Sequence, residues 1–204
     1  KHNHSSKNIG LILAGNIPLV GFQDFAHTLL SNNNVYAKLS KSDNILIPLL
    51  AEILIEIEPK LKTKIHFVNK LDENIDTVIA TGSNNTARYF EHSFANIPHI
   101  IRKNRNSIAI LDGNESIEQL QSILKDIFMY FGLGCRNVSK MYVPQNYDWS
   151  NFIKASNKFN YIKQHKPYYN NYIYNKSILL INETAFIDGD FYILMPSTTL
   201  QSPI

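Results

Sequence analysis

The chain has 204 residues, 44% of them hydrophobic, with a formal net charge of +3 and a single cysteine. That length and apolar content can bury one large core or two small ones, and weak, interspersed charge excludes nucleic acid as a main partner. One cysteine excludes an intrachain disulfide framework and suits a reducing compartment, and the longest apolar run, Ile45 to Ala51, is far short of the roughly 20 residues of a membrane span.

The opening stretch, Lys1 to Asn8, is polar and lacks the apolar centre of a signal peptide. A cytoplasmic location is therefore expected. The chain starts without methionine and stops after Ser202-Pro203-Ile204, which suggests a piece of something longer. Ile9 to Ala14 is a short continuous apolar run and predicts a buried strand. Gly15-Asn16-Ile17-Pro18 breaks it. A helix follows over Leu19 to Leu30, with Phe22, Phe25, Ala26, Leu29 and Leu30 on one face.

After the turn Ser31 to Asn34 comes a second strand, Val35 to Leu39. Ser40 to Asp43 then leads to a helix from about Asn44 to Glu58, closed by Pro59. Ile65 to Val68 and Thr77 to Ala80 predict the third and fourth strands. Thr81 to Asn85 is a turn into a helix over Thr86 to Phe94, and His99 to Arg102 predicts the fifth strand. Strands alternating with helices at this spacing predict an α/β fold with a doubly wound parallel sheet.

The composition shifts at Lys103 to Asn106, where we place a domain boundary. Beyond it, Ile108 to Leu111 predicts a strand. Ile117, Leu120, Ile123, Leu124, Ile127, Phe128 and Phe131 then recur at helical spacing, and Ser116 with Gln119 has the spacing of a capping box. The helix runs into Gly132-Leu133-Gly134-Cys135. These glycines tolerate positive φ, so the helix stops and the cysteine falls on a tight turn. A lone cysteine is more often a small buried hydrophobe than a nucleophile. Here it lies beside Arg136, ahead of the short strand Met141 to Val143. A helix over Trp149 to Ile162 follows, then a segment, Tyr161 to Lys176, that interleaves tyrosines with lysines.

An open parallel sheet binds ligands at the carboxyl ends of its strands. Three loops occupy such places: Gly15-Asn16, Lys38 to Lys41, and Gly82-Ser83. The last opens a helix whose N-terminal amides suit a phosphate, although an ordinary strand-to-helix turn reads the same way. No G-x-G-x-x-G, Walker A or G-x-S-x-G sequence is present. The seven histidines, His2 and His4 among them, show no metal-ligand spacing, so no metal is expected. Asn16 is either a turn residue or a side-chain donor to an oxyanion formed when a thiolate attacks a carbonyl.

In this order the motifs resemble the aldehyde dehydrogenase superfamily. Ala14-Gly15-Asn16-Ile17-Pro18 resembles its P-W-N-x-P segment, Lys38-Leu39-Ser40-Lys41 its K-P-S-E segment, Thr81-Gly82-Ser83 its T-G-S turn, and Gly132-Leu133-Gly134-Cys135 its G-Q-x-C loop. The wording of residues 14–25, 81–91 and 126–140 is closer to the acyl-CoA reductases, related to the fatty-acid reductase of bacterial luminescence. The resemblance implies a Rossmann-like dinucleotide-binding domain over residues 1–103 and an incomplete catalytic domain over 104–204. It implies Cys135 as nucleophile with Asn16 lining the oxyanion hole, and Lys38, Ser40, Lys41, Gly82 and Ser83 holding the cofactor.

Two departures are informative. Ile101 stands where hydrolytic relatives carry the water-activating glutamate, and Thr199 stands where the glutamate of E-x-F-G-P would hold the nicotinamide ribose, in Thr199 to Pro203. The implied reaction is reduction of an acyl-CoA, or another acyl thioester, to the aldehyde. NADPH is expected ahead of NADH because Lys41 replaces a carboxylate that would repel a 2′-phosphate. The rival readings are an aldehyde dehydrogenase working oxidatively and a non-catalytic dinucleotide-binding domain. Homo-oligomerisation is compatible with either.

Overall fold

The computed structural model describes residues 5–103 and 105–200. His2, His4, Asn104 and the Gln201-Ser202-Pro203 part of the nicotinamide-ribose segment lie outside these residues. The chain divides into two compact units, residues 1–104 and 105–204.

The first unit is a five-stranded sheet: β1 (Asn8–Ile12), β2 (Asn34–Lys38), β3 (Ile65–Phe67), β4 (Thr77–Thr81) and β5 (His99–Arg102). Every pairing is parallel, in the order β3-β2-β1-β4-β5. The helices α1 (Phe22–Leu30), α2 (Leu46–Ile57) and α3 (Asn84–Ser93) connect β1 to β2, β2 to β3 and β4 to β5, with a 3₁₀ turn at Pro59–Thr63.

Burial on both faces explains the unbroken apolar runs. Ile9, Leu11, Val35 and Ala37 pack with Phe25 of α1 and with Ile47 and Ala51 of α2. Alternate positions turn the other way: Ile12, Tyr36, Val78 and Ala80 pack with Phe90 of α3. Leu11 is fully buried, and truncating such a residue to alanine costs about 2–5 kcal/mol.

The second unit is built on β6 (Ser107–Ile110), α4 (Ile117–Phe128) and β7 (Val138–Tyr142), with β6 and β7 paired in parallel. The capping box forms as the sequence predicts: the Ser116 hydroxyl accepts from the Gln119 amide and the Gln119 side chain accepts from the Ser116 N–H. Leu120, Leu124 and Phe128 are the buried stripe of α4, packed against Phe152, Phe159, Ile162, Phe191 and Tyr192.

Several elements depart from the sequence reading. The strand placed at Met141 begins at Val138, where Ser107 of β6 supplies its pairing partner. The helix expected over Trp149 to Ile162 is α5 (Ser150–Ser156) continued by a 3₁₀ segment, Asn157–Gln164. In a 3₁₀ helix residues three apart eclipse, which puts Phe159 and Ile162 together in the core. The Tyr–Lys segment lies largely in a 16-residue helix, α6 (Lys166–Ile181), started by a His165 cap and Pro167. Its apolar residues circle the helix, so no helical period marked it. A short antiparallel pair, β8 (Ile187–Asp188) and β9 (Ile193–Leu194), closes the unit. No helix among the described residues is long and apolar enough to cross a membrane.

Candidate functional site

In the first unit, the order of strands reverses direction between β1 and β4. Ligands bind outside the carboxyl ends of strands at such a point. The loops after β1, β2 and β4 all start from that edge, and every cofactor candidate from the sequence lies there: Lys38 at the end of β2, and Ser40, Lys41, Gly82 and Ser83 in the loops.

The loops after β1 and β2 are fastened to each other. The Leu13 N–H donates to the Lys38 carbonyl (3.0 Å). Gly15 leaves no room for a side chain, since a Cβ there would stand 2.5 Å from the Ser40 Oγ. Asp43 is buried, and its Oδ2 accepts the N–H of Leu19 at 2.8 Å. Leu19 has φ +58°, a left-handed conformation that costs roughly 1–2 kcal/mol for a non-glycine residue. The Asp43 carboxylate holds that N–H and so keeps the loop in its strained form. Sequence reading passed over Asp43, because an acid in a polar stretch gives no sign that it is buried.

Asn16 is exposed in this fastened loop. With Gly15, Ile17 and Pro18 it lines one wall of an open groove whose other wall is Ser42 to Leu46. Lys38 and Lys41 are both exposed and Ser40 is half-buried. Gly82 donates its N–H to the Arg102 carbonyl (3.1 Å) and lies so close to Thr86 that an added Cβ would meet its Cβ at 3.0 Å. Ser83 caps α3, its hydroxyl accepting from the Thr86 N–H (3.2 Å) and paired with the Thr86 hydroxyl (2.9 Å).

In the second unit, Cys135 is exposed on a turn between α4 and β7. The approach is strained. After α4 a 3₁₀ turn over Met129–Gly132 carries three successive left-handed residues: Tyr130 (φ +51°), Phe131 (φ +58°) and Gly132 (φ +75°). Only the third is a glycine. Phe131 is held by stacking on His165, with ring centroids 3.8 Å apart and planes 12° off parallel. Such pairs contribute about 0.5–1.5 kcal/mol, less than two left-handed side chains cost, so further restraint is required.

Asn137 supplies it. Its side chain is buried, and its Nδ2 donates to the carbonyls of Asp126 (2.7 Å), Ile127 (3.1 Å) and Met129 (2.9 Å). Two of these belong to the last turn of α4, where carbonyls have no partner within the helix. The backbone N–H of Asn137 closes the turn on the Gly134 carbonyl (3.1 Å), and its own carbonyl accepts from Ser107 of β6 (3.0 Å). Gly134 does not adopt the positive φ expected for it. It is glycine because a Cβ there would overlap the Asn137 Oδ1.

Ile101 lies in β5 opposite Ala80, packed on the core beneath α3. Arg102, next to it, pairs with the buried Asp24 of α1. The Thr199 N–H donates to the Ser197 hydroxyl (3.1 Å). Among the described residues no three His, Cys, Asp or Glu side chains are grouped to hold a metal ion.

Comparison with known proteins agrees with this architecture. PutA from Anabaena variabilis, assigned as an aldehyde dehydrogenase, is 25% identical with a TM-score of 0.61, over 73% of this chain and 34% of that one. An aldehyde dehydrogenase from Bacillus cereus, solved with NAD+, is 18% identical with a TM-score of 0.64, over 74% and 35%. A propionaldehyde dehydrogenase from the fucose utilisation microcompartment of Clostridium phytofermentans is 13% identical with a TM-score of 0.59, over 75% and 38%. The chain thus spans about a third of the length of the structures it matches. No curated protein matches it by sequence. The fold is that of part of an aldehyde dehydrogenase. Residues 6–156 match the family described as Acyl-CoA reductase (LuxC), a span that includes both the β1 loop and the cysteine turn, and the chain belongs to that family.

Proposed function

We propose that this chain forms part of a reductase that converts an acyl-CoA to the aldehyde through a thioester on Cys135, with NADPH as reductant. The observation that carries the reading is the Cys135 turn itself: an exposed thiol on a strained, fastened turn, within the span matched to the acyl-CoA reductases. In this mechanism the Cys135 Sγ, as thiolate, attacks the thioester carbonyl carbon. The developing oxyanion takes a hydrogen bond from the Cys135 N–H, and the Asn16 amide is the second donor that the family resemblance implies. Collapse breaks the carbon–sulfur bond to coenzyme A, which leaves as its thiolate and takes a proton from water, and an acylated Cys135 remains.

The carboxyl edge of the first sheet suits a dinucleotide. Gly82 and Ser83 open α3, whose N-terminal amides favour phosphate, and the Lys38-to-Lys41 segment offers two exposed ammonium groups and the Ser40 hydroxyl. The reduced nicotinamide, when bound, supplies the hydride that takes the acyl group to the aldehyde level. Ile101 favours this outcome over hydrolysis: an aliphatic side chain packed on the core cannot activate water.

The test is direct. Incubation with acyl-CoA and NADPH should consume cofactor and release aldehyde and free coenzyme A in equal amounts. An enzyme that oxidises aldehydes but forms none from acyl-CoA defeats the reading.

A further inference from the structure

Asn137 has a part in that chemistry that its burial conceals. Every polar atom it owns is directed at the cysteine turn or its supports. The amide nitrogen spans three carbonyls at the end of α4, the N–H closes the turn on Gly134, the carbonyl is tied to β6, and Oδ1 lies against Gly134. In the four-residue turn Gly134-Cys135-Arg136-Asn137, closed by the bond from the last residue to the first, Cys135 is the second residue. Its backbone N–H and Cα–Cβ direction are set by the two ends. Both ends are set by Asn137.

We infer that Asn137 is the positioning residue for the nucleophile, orienting the Cys135 Sγ and backbone N–H without touching the substrate. This rests on the reading of Cys135 as the acylated thiol. The choice of residue is specific. The end of α4 offers acceptors only, so the side chain that fastens it must donate, and an –NH₂ has two hydrogens to share among three carbonyls. Aspartate has the same shape and no donor when ionised, and its charge would face those carbonyl oxygens. Gly134 and Asn137 are also a matched pair, since any side chain at 134 would displace the amide.

The experiment uses the polypeptide as it occurs in the cell and follows acylation of Cys135 by acyl-CoA without reductant, alongside alkylation by iodoacetamide. Misplacing a reacting atom by about 1 Å costs on the order of a hundredfold in rate, so Asn137→Asp and Gly134→Ala should each slow acylation about 10- to 100-fold. Acyl-CoA affinity and the alkylation rate, which need no fixed angle of attack, should move less than about threefold. Protonating the carboxyl introduced by Asn137→Asp restores one donor, so the ratio of mutant to wild-type acylation should rise as pH falls. A residue that only braces the fold would move the alkylation rate and the unfolding midpoint together with acylation, and all three would recover together. Should Asn137→Asp fail to fold, Gly134→Ala leaves the amide in place chemically and still reads its displacement. Wild-type acylation at Cys135 with undiminished acylation in both variants overturns the positioning role alone. No acylation of wild-type Cys135 overturns the nucleophile reading and this inference together.

Discussion

The β1 loop and the cysteine turn present the same physical problem with opposite polarity. Each carries strained backbone: Leu19 in the first, Tyr130 and Phe131 in the second. Each is held by one buried polar side chain from a neighbouring stretch of chain. The β1 loop leaves a spare N–H, and an acceptor, Asp43, takes it. The cysteine turn follows a helix C-terminus with spare carbonyls, and a donor, Asn137, takes those. A buried polar residue costs free energy unless it is paired, and in both places the unpaired backbone group decides which residue type can be there. Both loops keep their candidate functional residue, Asn16 and Cys135, exposed.

The largest effect separating the two loops is expected at their exposed residues. Cys135→Ser should abolish acyl labelling and aldehyde formation while leaving the unfolding transition unchanged, because an exposed thiol contributes little packing. Turnover equal to wild type would remove the second loop from the chemistry. Asn16→Ala should act on rate and not on affinity. Losing one oxyanion donor costs ~10²–10³ in rate, read as slower acylation of Cys135 at saturating acyl-CoA. Normal acylation in this variant would reduce the β1 loop to a cofactor-side turn.

The supporting residues should differ in a way set by polarity. Asp43→Ala leaves the Leu19 N–H without its partner and should cost about 1–3 kcal/mol in denaturant unfolding. Asp43→Asn keeps an acceptor oxygen and should cost about 1 kcal/mol or less, whereas the reverse exchange at Asn137 removes a donor and is poorly tolerated. Equal tolerance of Asp43→Ala and Asp43→Asn would show that the carboxylate is not what holds the loop.

The two loops were also unequally legible in the sequence. The first unit was readable almost throughout, because a parallel sheet buried on both faces writes itself as short apolar runs between helices. The bounds of β5 agree residue for residue with the structure, and the other strands differ only at their ends. Strand order was not readable, since pairing is a long-range property. In the second unit α4 and its capping box were plain, being local and periodic. The strained turn after it was not: Tyr130 and Phe131 are ordinary apolar residues, and what holds them left-handed lies elsewhere in the chain, in the stacking of Phe131 on His165, 34 residues further on, and in the Asn137 amide at the helix end. Asn137 read as a polar residue in a loop. The signal that could have found it was the second glycine, Gly134: Gly132 alone supplies the positive φ that stops the helix, and a further glycine two residues on also fits close approach by a neighbour.

The smallest expected effect concerns the β2 loop, which is fastened to the β1 loop by the Leu13–Lys38 bond and packs on Gly15 through Ser40. Lys41 is exposed there, three residues after the exposed Lys38. A charged hydrogen bond from an ammonium to a 2′-phosphate contributes ~1.5–3 kcal/mol when shielded from water. Exposure reduces an ion pair to ~0–1 kcal/mol, so the preference for NADPH over NADH should be roughly fivefold or less. Lys41→Glu replaces attraction by repulsion and should reverse that ratio, with little effect on NADH alone. Raising ionic strength should shrink the wild-type preference, because exposed charges are screened over about 8–10 Å at physiological salt. A wild type indifferent to the 2′-phosphate, or a ratio unmoved by Lys41→Glu, would mean that Lys41 faces solvent and that the β2 loop contributes only its backbone and Ser40.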